Sequence, residues 1–206
     1  MSMSDSDEVQ MFRNWMKEYG YYILFSILAF LIVNFGWRYW KQYKEYKLGQ
    51  ATVMYDQVLQ SFDKEKNEEL KLFGEKLIKN HPKTIYASLA SLTLAKHYVD
   101  SGDLKSAQEN FEFVIKEAPS KEVKELARVR VARILIALKD PQKALDTLAN
   151  SQDDGFYAST VNEVRGDALL KLGKNEEAEK AYSLAKSLNT DVSSQPPLLK
   201  MKMQQF

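Results

Sequence analysis

From Tyr19 to Trp37 the chain reads YGYYILFSILAFLIVNFGW, with no charged residue and only Ser26 and Asn34 strongly polar. At about 1.5 Å per residue a helix of this length reaches about 28 Å, close to the hydrocarbon thickness of a bilayer. Inside hydrocarbon the backbone must satisfy its own N–H and C=O groups, so a lone stretch of this kind has to be helical. Its borders fit the same reading. Tyr19 and Tyr21 at one end, and Trp37, Arg38, Tyr39 and Trp40 at the other, are the residue types that sit at headgroup depth. The pattern therefore predicts a transmembrane helix over 19–40. A cleaved export signal would need a basic start and small residues at its end; here the start carries Asp5, Asp7 and Glu8, and the end is bulky. Gly20 and Gly36 lie too far apart to form a small-xxx-small pairing face.

Residues 1–18 read as a short N-terminal tail. The first eight are rich in Ser, Asp and Met and are expected to lack structure. From Val9 onward, Phe12, Trp15, Met16 and Tyr19 recur at helical spacing. Two readings fit this: a short helix lying in the interface before the chain turns into the span, or a solvated lead-in. Past the span, Arg38 to Lys47 alternate basic and aromatic residues. Beside a membrane, these are Tyr and Trp at the interface with Lys and Arg snorkelling to phosphate, and no nucleic-acid role is assigned to them.

Residues 41–206 show a different period. Three stretches align: Leu94-Ala95 and Tyr98, then Gly102, Ala107, Phe111 and Pro119; Val131-Ala132 and Leu135, then Lys139, Ala144 and Leu148; Val164, Gly166 and Leu169, then Gly173, Ala178 and Tyr182. Each has a small residue, a large one three later, a turn position at plus seven, Ala at plus twelve and a bulky residue at plus sixteen. The small residues Ala95, Ala132 and Gly166 mark steps of 37 and 34 residues, the period of a tetratricopeptide-like helix-turn-helix. Small side chains let paired helices approach, while Tyr98, Phe111, Leu148 and Tyr182 are expected to fill the space between repeats. Gly102-Asp103, Asp140-Pro141 and Gly173-Lys174-Asn175 supply helix stops and starts between the paired helices.

A further repeat is expected upstream, where His81-Pro82 precedes Pro119 by 37 residues and Leu70, Leu77 and Ile78 give an apolar face. Its first helix is placed at about Leu48 to Phe62, followed by a solvated turn over Asp63 to Glu69. Repeats thus fall near 48–84, 88–121, 125–158 and 159–192. After Pro196-Pro197, Leu198 to Phe206 read as a short capping helix. The fold class is all-α: a single N-terminal transmembrane helix followed by a tetratricopeptide-like helical-repeat superhelix.

Composition narrows the function. Against 28 acidic residues stand 29 basic ones, which gives no field for a nucleic-acid partner. Cysteine is absent, excluding disulfides and thiolate chemistry while leaving the compartment open. No nucleophile elbow, P-loop, dinucleotide fingerprint or zinc-protease motif occurs, and His81 and His97 stand alone. No enzyme activity, cofactor or metal is expected. Binding is expected on the inner surface lined by first helices, where the position after each small residue is Lys96, Arg133 or Asp167, with Val99, Ile136 and Leu170 three residues on. Mixed charge beside an apolar stripe suits an extended segment or a partner's loop; the competing reading packs these side chains between repeats.

The chain resembles the YfgM family of bacterial inner-membrane proteins, ancillary subunits of the Sec translocon. The resemblance rests on Gly36 to Trp40, on Tyr86-Ala87-Ser88-Leu89-Ala90-Ser91-Leu92 with Leu94-Ala95, on Arg130-Val131-Ala132-Arg133, and on Arg165-Gly166-Asp167-Ala168-Leu169-Leu170. It implies a cytoplasmic N-terminus and a periplasmic repeat domain. The implied partners are SecYEG, the anchored chaperone PpiD, other periplasmic chaperones and emerging secretory proteins. Flanking charge points the other way: Arg13 and Lys17 precede the span, whereas Arg38, Lys41, Lys44 and Lys47 follow it, which by the positive-inside rule keeps the domain in the cytoplasm. The family topology is preferred, because long domains translocate largely regardless of flanking charge. The alternative is a cytoplasm-facing, membrane-tethered adaptor that scaffolds another complex.

Overall fold

The computed structural model describes residues 5–151, 155–188 and 202, with side chains described from Val9 onward. Among these residues there are eight α-helices and no strand: α1 Asp5–Asp63, α2 Asn67–Asn80, α3 Ile85–Asp100, α4 Leu104–Glu117, α5 Lys121–Ala137, α6 Pro141–Leu148, α7 Ala158–Lys171 and α8 Asn175–Leu188. Contacts divide the chain into two units, one up to Gly49 and one from Gln50.

The first unit is helical from Asp5, so residues 5–8, expected to lack structure, carry helix instead. No turn separates Val9 from the span, since both lie in the one helix α1. Apolar side chains here face outward: Leu24, Val33 and Phe35 are 67%, 69% and 68% exposed. This stretch belongs to the one helix among the described residues that is long and apolar enough to cross a membrane. Ser26 donates to the Tyr22 carbonyl at 2.7 Å, so the hydroxyl is satisfied within the helix. At the far border Trp37 and Trp40 lie 5.9 Å apart, and the Lys44 ammonium sits 3.9 Å over the Trp40 ring, an aromatic surface that holds a cation.

The second unit stacks helices that pack on their sequence neighbours from α2 to α8, with α5 also meeting α7. The C-terminal part of α1 supplies Ala51 and Val58 to a cluster with Leu70, Leu77, Ala90 and Leu94. The turn after α1 is shorter than the charge run suggested. Asn67 already begins α2, and Glu68 and Glu69 occupy its first turn, where the dipole favours acids.

A larger cluster runs from Ala95 to Ala168 through Phe111, Ala132, Ala144 and Leu148, and a third gathers Leu169, Ala178, Ala181, Tyr182 and Ala185. Tyr98 packs against both the first and second of these clusters, and Leu145 joins the two C-terminal ones. This chain of contacts between neighbours is how a repeat array shares its core. All six small positions of the repeat pattern (Ala95, Ala107, Ala132, Ala144, Gly166 and Ala178) are buried.

The turns repeat as well. Gly102, Lys139 and Gly173, each seven residues after the small position, have φ of 81°, 63° and 76°. A left-handed residue there ends the first helix of each pair. The Asp140 N–H donates to Leu135 O at 2.9 Å, and the Lys174 N–H to Leu169 O at 3.0 Å. The next helices start on side-chain caps. Asp103 accepts from the Ser106 N–H at 3.1 Å, and Asp140 accepts from the Lys143 N–H at 3.3 Å with Pro141 in the first turn.

Candidate functional site

Two first helices, α3 and α5, enclose a cleft of about 560 Å³ with α4 beneath, a volume in the range of ligand sites. On α3, capped by Thr84, the lining residues are Leu92, Lys96, Val99 and Asp100; on α5, capped by Ser120, they are Leu126, Arg130, Arg133, Ile134 and Ala137. These sets follow spacings of three and four, which place them on one face of each helix. Leu104 and Phe111 of α4 complete the lining.

The cleft is apolar at its floor and cationic at its walls. Phe111 and Ile134 are 6% and 5% exposed, whereas Lys96, Arg130 and Arg133 are exposed. The Lys96 ammonium lies 5.1 Å from the Phe62 ring centroid. Neither Arg130 nor Arg133 has an ion-pair partner among the described residues; the nearby Arg128 instead pairs with Glu125 in a half-buried position. Among the described residues, Asp100 is the only acid lining the cleft. The described residues of the lining are cationic, acidic or apolar, with no hydroxyl, imidazole or thiol.

Of the six residues expected to face a partner, Lys96, Val99 and Arg133 line this cleft. Ile136 packs against the large cluster and Leu170 against the C-terminal one, both half-buried. Asp167 is engaged elsewhere. Its Oδ1 accepts from the Tyr182 hydroxyl at 2.7 Å, and its Oδ2 lies 2.8 Å from the Lys202 ammonium. Lys202 also reaches Glu163 Oε1 at 2.7 Å, so two carboxylates one helical turn apart share one cation. Side-chain exposures of 17% for Lys202, 10% for Glu163 and 25% for Asp167 make this a largely buried triad. The phenol of Tyr182 is pushed up from its ordinary value, first by burial, then by its hydrogen bond to Asp167 and by the negative charges of Asp167 and Glu163. Of the capping helix expected over Leu198 to Phe206, only Lys202 lies within the described residues.

Sequence reasoning did not place Arg130, Leu92 or Phe111 in a site. Arg130 was within reach of it, since it stands three residues before Arg133 on the same helical face. The Glu163 and Lys202 pairing has no such local signal, because 39 residues separate the two.

These features define a repeat protein, all-helical among the described residues, whose N-terminal helix is long and apolar enough to span a membrane and whose first helices line a cleft. The chain belongs to the tetratricopeptide repeat-like domain family, whose model matches residues 13–206. Among its relatives is a protein of Escherichia coli (strain K12) named ancillary SecYEG translocon subunit, 26% identical over 87% of this chain and 85% of the relative. Proteins of the same name from Aggregatibacter actinomycetemcomitans and Haemophilus influenzae are 28% and 24% identical, over 89% and 98% of this chain and 89% and 97% of their own lengths. That name is the one carried by the family with which the sequence motifs were identified.

Proposed function

We propose that the chain is a non-enzymatic, membrane-anchored accessory subunit of a Sec translocon in a bacterial inner membrane. Its N-terminus is cytoplasmic and its repeat domain periplasmic, where it binds SecYEG and PpiD and, with other periplasmic chaperones, hands over or protects emerging secretory proteins. The observation that carries this reading is the near end-to-end match to proteins named ancillary SecYEG translocon subunit, with an apolar anchor followed by helical repeats in the same chain. Lys96, Val99 and Arg133, which line the cleft, are assigned to partner binding, whereas Ile136, Asp167 and Leu170 are engaged within the repeats. Photo-crosslinkers placed at Lys96, Val99 or Arg133 of the full chain in cells should capture SecY, PpiD or a secretory protein. Capture of cytosolic proteins alone overturns the reading.

One observation favours a second reading, a cytoplasm-facing adaptor: four cations, Arg38, Lys41, Lys44 and Lys47, follow the span against Arg13 and Lys17 before it. Alkaline phosphatase fused after Phe206 decides between the two. It is active when the domain is periplasmic and inactive when the domain stays in the cytoplasm.

A further inference from the structure

We infer that the cleft between α3 and α5 selects polypeptide segments in which a carboxylate lies within a few residues of a bulky apolar side chain, and rejects basic apolar segments. The inference rests on the reading of the cleft as the polypeptide-binding surface, and goes beyond it by assigning the chemistry of the segment.

Three features support the selection. Arg130 and Arg133 stand three residues apart on α5 and line the same cleft, so their side chains rise from neighbouring positions on one helical face. A guanidinium presents a planar fork that takes a carboxylate in bidentate fashion, and two adjacent forks bracket one acidic residue or two in succession. Neither guanidinium is neutralised by an ion pair among the described residues. Lys96 adds a third cation from α3, and among the described residues Asp100 is the only opposing acid in the lining.

The floor makes the second demand. Phe111 and Ile134 form an apolar base beside these charges, and a bulky aliphatic or aromatic side chain gains by leaving water there. An anionic lipid headgroup would use the cations but leave this base unfilled, so a polypeptide fits the whole cleft better. A segment bearing Lys or Arg would meet three like charges at the walls, and such repulsion discriminates as effectively as attraction.

The test uses the full chain in nanodiscs of zwitterionic lipid and three fluorescent peptides of equal length and equal Phe and Leu content, carrying Asp and Glu, Lys and Arg, or Ser. The acidic peptide is expected to bind about tenfold or more tighter than the basic one, with affinity falling as salt rises. Arg130→Glu with Arg133→Glu should reverse the order while circular dichroism stays unchanged. Val99→Asp should weaken every peptide that binds. If the basic or neutral peptide binds as well as the acidic one and Val99→Asp still weakens it, the acidic selectivity is overturned and the cleft stands as a binding surface. If no peptide binds, or binding ignores both sets of substitutions, the cleft reading falls with it. Capture of anionic vesicles through Arg130 and Arg133 without any peptide preference also overturns the inference.

Discussion

Gly166 faces the ring of Tyr182 so closely that a Cβ on residue 166 would stand 2.6 Å from Cε1 and 2.7 Å from Cδ1. The ring cannot retreat easily, because Tyr182 is fully buried and its hydroxyl is held by Asp167 at 2.7 Å. Gly166→Ala is therefore expected to destabilise the repeat domain by about 1–3 kcal/mol, despite the better helix propensity of alanine. Gly74 meets a different neighbour, the branched end of Leu94 at 2.7 Å, which has rotamer freedom that a tethered ring lacks. Gly74→Ala should cost less. Denaturant unfolding of the full chain in micelles, followed by circular dichroism, compares the two.

The triad of Glu163, Asp167 and Lys202 predicts a dependence of the last repeat on the C-terminal segment. Lys202→Met removes the cation and leaves two largely buried carboxylates on one helical face, which costs about 2–4 kcal/mol. Adding Glu163→Gln and Asp167→Asn to that variant removes the uncompensated charge and should recover part of the loss. Thermal unfolding of the single and triple variants measures the coupling; equal stability of wild type and Lys202→Met would remove the triad from the account of the fold.

Tyr182 sets an alkaline limit. Its phenol is raised in the folded state, chiefly by burial, so the unfolded chain gives up this proton first as pH rises above about 10. The contribution is whole below that pH and is lost above it. Stability of the wild type should fall between pH 10 and 11, and Tyr182→Phe should flatten that fall while losing about 1 kcal/mol at neutral pH with the hydrogen bond to Asp167. Unfolding midpoints across this range provide the check.

The caps set an acid limit of opposite sign. Asp103 is held below its ordinary 3.8 by hydrogen bonds from Ser106, and Asp140 by its contacts with Lys143. Their contributions are present above the ordinary carboxylate range and disappear as pH falls through the lowered values. Asp103→Asn keeps an acceptor for the Ser106 N–H and should shrink the acid dependence without abolishing α4, read by circular dichroism between pH 5 and 2.

Lys139 occupies the turn position that glycine holds in the neighbouring repeats, at φ 63° against 81° for Gly102 and 76° for Gly173. A residue with a Cβ pays about 1–2 kcal/mol for the left-handed conformation. Lys139→Gly is expected to raise stability by about 1 kcal/mol, and Lys139→Val to lower it; urea midpoints measured side by side give the sign.

The local part of this architecture was written in the chain. A charge-free run from Tyr19 to Trp37 identified the membrane-competent helix, because no soluble packing is needed to read apolarity on every face. The repeat register was equally legible: small residues at Ala95, Ala132 and Gly166 recur with turn residues seven positions later, and the structure buries the first set and turns the chain at the second. Such signals are periodic, so each repeat states them again and errors in one are corrected by the next.

The candidate site was legible only in part, for a physical reason. Register places Lys96, Arg133 and Asp167 at equivalent positions, but equivalence in a repeat fixes a helical face and not the surroundings of that face. Between α3 and α5 the face opens into a cleft, and Lys96 and Arg133 line it. On α7 the same face meets Lys202 and the hydroxyl of Tyr182, and Asp167 is enclosed. The sequence alone determined the membrane-competent helix and the paired helices of the repeats, because propensity, apolar period and turn chemistry act over a few residues. Only the tertiary structure decided which equivalent positions stay open, because that depends on the approach of side chains 15 and 35 residues away in the chain, whose meeting no local pattern records.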